Sequence, residues 1–113
     1  MTSPNDQLDG LAQDFLMAWR DAHGFRAGSA SALIGPDHLA ILIEGAFSQA
    51  ERKLAEAQSG ENLLREYATE LLNHICVTMI NRIEHAAKRE VAASDINVTP
   101  DSDQVMFIFK LGD

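Results

Sequence analysis

Residues 61–87 read ENLLREYATELLNHICVTMINRIEHAA. The apolar residues fall in doublets four apart: Leu63/Leu64, Tyr67/Ala68, Leu71/Leu72, Ile75/Cys76 and Met79/Ile80, with Ile83 following. Such spacing predicts an amphipathic helix. A repeat of four drifts, however, because a helix turns about 100° per residue and each doublet is rotated by roughly 40° from the last. Over five steps the stripe sweeps about 200°, more than one flat partner can cover. About 27 residues at 1.5 Å each span roughly 40 Å, long beside a domain of this size, whose radius of gyration is about 13 Å. The expectation is that a second copy of the chain covers the overhang, with Leu64, Leu71, Ile75, Met79 and Ile83 at the interface of a dimer.

Upstream of this helix, Ser48-Gln49-Ala50-Glu51 fits a capping box, in which serine caps the N3 amide and glutamate reaches back to the serine amide. A helix starts there, and Ser59-Gly60 is expected to kink or break it before the long segment. Nearer the amino terminus, Leu8, Leu11, Phe15, Leu16 and Trp19 give residues 6–22 helical periodicity, ending at Gly24. Residues 1–5 are taken as a flexible start. Gly35-Pro36-Asp37-His38 is a turn signal inside residues 29–44, which read as a hairpin. Its second strand, Leu39 to Ile43, is apolar at every position, as expected of an interior strand covered on both faces. Val91–Val98, a turn over Thr99–Asp103, and the apolar run Val105–Phe109 make a second hairpin. The fold expected is α+β: helix, β-hairpin, long broken helix, β-hairpin, with an antiparallel four-stranded sheet packed by helices in one domain spanning 1–113.

Composition narrows the function. The chain has 113 residues, 46% hydrophobic and 23% charged, with a formal net charge of -8 from 9 Lys+Arg against 17 Asp+Glu. That balance argues against a nucleic-acid partner, since phosphate binding rests on clustered positive charge. The start of the chain carries no basic region followed by an apolar run, and no stretch approaches eighteen apolar residues, so neither export nor membrane insertion is expected. One cysteine, Cys76, forms no internal disulfide and fits a reducing, cytoplasmic compartment.

Few constellations carry chemistry. Glu70 and His74 lie four apart, and His85 lies eleven beyond His74, roughly 16 Å along the axis. A metal wants three or four convergent ligands, so no metal or other cofactor is expected. Cys76 sits in the apolar stripe as a small hydrophobe. Arg26 between Gly24 and Gly28 is the candidate anion site, because glycines let amides approach an oxyanion while a guanidinium grips it. The competing reading is that Gly24 only ends the helix. Arg82, Lys88 and Arg89, near the end of the long helix, either answer its dipole or form a partner-docking patch. Asp95 reads as a charge guarding an edge strand.

Taken together, the chain resembles the MpsC family. The resemblance is carried by Gly24-Phe25-Arg26-Ala27-Gly28, the strand Leu39 to Gly45, the run Phe47 to Ala55 with Gly60, Asp95-Ile96, and Val105 to Leu111. Two departures stand out. The family's Gly-basic-Gly-Pro turn is spread here around Arg26 without proline, and Tyr67 stands where members tend to carry arginine. The resemblance implies association with a membrane ion or inorganic-carbon uptake complex. The resulting expectation is a non-enzymatic, oligomeric accessory or regulatory protein; the alternative is a small-anion or nucleotide-sensing domain.

Overall fold

The computed structural model describes residues 4–26 and 28–112. In chain order come α1 (Pro4–His23), β1 (Ser29–Ile34), β2 (His38–Glu44), α2 (Gln49–Leu54), α3 (Gln58–Ala87), β3 (Val91–Thr99), one 3-10 turn (Pro100–Ser102) and β4 (Gln104–Leu111). The sheet has order β1-β2-β4-β3 and is antiparallel throughout. The α+β order expected from the sequence is therefore the one observed. The first helix starts at Pro4, ahead of its expected start, and residues 1–3 lie outside the described residues.

One face of the sheet carries the core. Leu39, Ile41 and Ile43 of β2 and Val105, Phe107, Phe109 and Leu111 of β4 are buried there. Both α1 and α3 pack on that face. Phe15 of α1 sits edge-on to Phe107 at 4.7 Å and tilted against Phe109 at 5.9 Å, arrangements that favour the ring quadrupoles. Trp19 is fully buried, and its indole N–H donates to Ala46 O at 3.0 Å, leaving no buried donor unpaired on that ring.

The long helix corrects the reading of its stripe. Leu64, Ala68, Leu72, Ile75, Cys76, Met79 and Ile83 are buried, while Leu63 and Tyr67 are exposed and Leu71 and Ile80 half-buried. At about 100° per residue the buried positions stay within an arc of about 120°, so the stripe runs straight. The sweep came from counting the outer member of each doublet as core. Of the expected interface residues, Leu64, Ile75, Met79 and Ile83 are covered by the chain's own α1 and sheet and cannot meet a second copy; only Leu71 retains some exposure. Nor does α3 overhang its own domain. Its buried residues run from Gly60 to Ile83, along most of its 30 residues.

The break between α2 and α3 falls at residues 55–57, and Ser59 and Gly60 lie inside the first turn of α3. Gly60 is there for space: a Cβ on it would sit 1.9 Å from Leu54 O. The capping box forms as expected, with Glu51 N–H donating to Ser48 Oγ at 3.2 Å and Ser48 N–H to Glu51 Oε1 at 2.8 Å.

Candidate functional site

Strands alternate their side chains, so the residues between the core positions point to the opposite face of the sheet. The expectation that β2 is covered on both sides fails here. Its burial alternates, with Leu39, Ile41 and Ile43 buried and Ala40 and Leu42 only half-buried; β4 alternates likewise, with Met106 and Ile108 half-buried. The register sets Leu33, Ala40 and Ile108 in one row and Leu42 beside Met106 in the next. Leu33 is 73% exposed. These five residues form a contiguous apolar patch that no helix among the described residues packs on.

The rim of the patch is polar and its charge runs along the strands. At one end His38 lies beside Lys110; at the other Glu44 lies beside Gln104. Along β3, Asp95 flanks Ile108 and Asn97 flanks Met106, both exposed. Asp95 thus stands on an edge strand, where its Oδ1 accepts from Ile96 N–H at 2.9 Å.

The residues singled out from sequence do not converge elsewhere. Gly24 ends α1 at φ 85, its amide spent on Arg20 O at 2.8 Å. Gly28, at φ 109, lies against the backbone of Gly45, and a Cβ there would meet Glu44 O and Gly45 O at 3.0 Å. The arginine that reaches this loop is Arg20, whose Nη2 donates to Gly28 O at 3.0 Å; Arg26 is exposed. The glycines serve chain reversal and close backbone approach, so the anion cradle expected of Gly24, Arg26 and Gly28 is not assembled. Arg89 is no free docking cation either. Its guanidinium donates to Gly112 O at 2.7 Å, to Leu111 O at 3.3 Å and to Pro36 O, clamping the β1–β2 turn to the end of β4. Lys88 closes α3 in the left-handed region at φ 59, and Arg82 lies 3.5 Å from Asp14 across the α1–α3 groove. Arg82, Lys88 and Arg89 therefore do not share one surface purpose.

Residues 12–113 match the family model described as Na+-translocating membrane potential-generating system (MpsC). The chain belongs to the MpsC family. A search of curated proteins finds no match. Among the described residues no helix is long and apolar enough to cross a membrane, and no group of three His, Cys, Asp or Glu is placed to hold a metal.

In this MpsC-family chain one polar pair escaped sequence reading, since its members are 28 residues apart. His23 Nε2 lies 2.6 Å from Glu51 Oε2. A carboxylate only accepts, so the ring donates from Nε2. The His23 side chain is 2% exposed, stacked on Trp19 at 4.5 Å, with Phe25, Phe47 and Tyr67 around it at 6.1–6.2 Å. Tyr67 thus packs near a histidine. Partial burial works to raise the Glu51 pKa, but the Ser48 amide and then His23 hold it below the ordinary carboxylate value. Burial pushes the Cys76 thiol up to about 11, which keeps it protonated and inert near neutrality.

Proposed function

We propose that the chain works by binding, as a non-enzymatic, oligomeric accessory or regulatory subunit of a sodium-translocating membrane system, on its cytoplasmic side. The observation that carries this reading is the apolar outer face of the sheet, a ready-made contact surface on a domain whose other face is filled by its own helices. The family's description supplies the kind of system, and an ion or inorganic-carbon uptake complex is the setting proposed here. Several side chains with chemistry to offer are engaged in holding the fold: Arg89 clamps three carbonyls, Glu51 serves both a helix cap and His23, and Cys76 is buried.

The test is a sodium-dependent membrane potential, read with a potential-sensitive dye in vesicles from cells with and without the chain. Loss of the sodium-dependent signal without it, restored by the wild-type chain and not by Leu42→Lys, is the expected result. An unchanged signal in its absence refutes the accessory role.

A further inference from the structure

The binding reading leaves open what covers the outer sheet face. We infer that it is the same face of a second copy, packed sheet on sheet with the β2 strands of the two copies running antiparallel across the interface. The inference rests on that reading and adds its occupant and orientation.

Charge decides the orientation. A closed pair of like faces is related by a two-fold axis, and the axis can run along the strands or across them. An axis along the strands lays β2 over the partner's β4 and keeps each end over its like: His38 comes over Lys110 at one end, and Leu33 is carried over the row of Asp95, apolar on charged. An axis across the strands keeps each strand over its own copy and reverses the ends. His38 then faces Glu44, Lys110 faces Gln104 with Glu44 on the neighbouring strand, and Asp95 faces Asn97. The charged rim residues meet complements, Leu33 meets Ser31, and Ala40, Leu42, Met106 and Ile108 meet one another at the centre. Of these two aligned arrangements this is the one in which the face is self-complementary, which is the property of an isologous interface.

The same pattern argues against a lipid surface as occupant. Glu44 and Asp95 stand on the rim, where an anionic headgroup layer offers no cation or amide to meet them. Size sets the strength. Four strands about 4.8 Å apart and about six residues long give a plan of about 19 by 20 Å, roughly 400 Å² per copy. That is below the ~800 Å² per partner of a standard interface, so the pair is reversible and concentration-dependent.

Sedimentation of the intact chain from about 1 to about 500 µM, the range a small interface implies, reads the association. A monomer–dimer equilibrium is expected, weakened more than about tenfold by Leu42→Lys, which sets an unpaired ammonium at the dry centre. Leu33→Asp, at a residue already open to solvent, repeats the test without touching the core, and circular dichroism checks that both variants fold. Orientation is read by electron-spin distances on Gln104→Cys, labelled with a nitroxide while native Cys76 stays buried. Six residues of strand and sheets about 10 Å apart put the two backbone sites about 22 Å apart in the antiparallel pair, against about 11 Å in the alternative. A monomer at every concentration, a dimer indifferent to both variants, capture by phospholipid vesicles in place of dimerisation, or the short distance each overturns the inference. If the chain stays monomeric while the sodium-dependent potential still requires it, the accessory role stands and this occupant alone falls.

Discussion

Replacing Gly60 by alanine is the sharpest test of how the two helices meet. Helix propensity alone says that Gly60→Ala stabilises, because glycine within a helix costs about 1 kcal/mol relative to alanine. The geometry says the reverse. The added Cβ would lie 1.9 Å from Leu54 O, 2.8 Å from Leu54 C and 3.0 Å from Leu54 Cγ. Reaching even 3.0 Å from the carbonyl oxygen requires an opening of about 1.1 Å (3.0 − 1.9), and two of the three atoms are backbone, which cannot rotate away. The end of α2 must move off α3, and α2 carries Glu51, the partner of both Ser48 and His23. Overpacking of this kind costs about 1–3 kcal/mol and occasionally more. An approach this close, against backbone, belongs at the upper end of that range, so less the propensity gain of about 1 kcal/mol the net effect expected is a loss of about 2 kcal/mol. Urea denaturation monitored by the fluorescence of Trp19, which stacks on His23, provides the measurement. A Gly60→Ala chain as stable as wild type would refute the argument.

Three further outcomes follow from the same coordinates. Gly10 is the counter-case: a Cβ there meets nothing within 4 Å, so Gly10→Ala should stabilise α1 by up to about 1 kcal/mol in the same denaturation assay. Because the Glu51 pKa is lowered in the folded chain, its contribution is present above the ordinary carboxylate value and lost as pH falls through the folded one. The stability gap between wild type and Glu51→Gln should therefore narrow between about pH 7 and about pH 3, and a gap constant with pH would contradict the assignment. Cys76, buried with its thiol pushed up to about 11, should resist iodoacetamide at about pH 8 in the native chain and react on unfolding, as followed by mass spectrometry.

Much of the fold was legible because local chemistry and the tertiary solution agree. Leu11, Phe15, Leu16 and Trp19 repeat at helical spacing and all four are buried; the Ser48–Glu51 box caps the helix it announces. The turn at Gly35-Pro36 and the apolar runs at Leu39–Ile43 and Val105–Phe109 give the strands, and the register pairs them. What was not legible depends on which neighbour arrives. The doublets of α3 do not say which member faces inward, because the choice is made by the sheet and α1. Gly60 looks like a helix breaker, since a close approach by Leu54 leaves no trace in local sequence. His23 and Glu51, 28 residues apart, meet only once α2 docks against the end of α1.

The candidate site was legible in an inverted form. A strand with apolar residues at consecutive positions implies cover on both sides, and the chain supplies helices to only one of them. On the long helix, by contrast, the residues expected to meet a partner are not the ones on offer, since Leu64, Ile75, Met79 and Ile83 already fill the core. The sheet carries an apolar surplus of its own, beside the exposed Leu63, Tyr67 and Val77 of α3. Leu33, Ala40, Leu42, Met106 and Ile108 have lain outside every core the chain builds for itself, while His38 and Lys110 at one end and Glu44 at the other give that surplus a direction. An apolar patch alone would accept many partners; a patch with opposite polarity at its two ends discriminates among orientations, because like ends brought together repel.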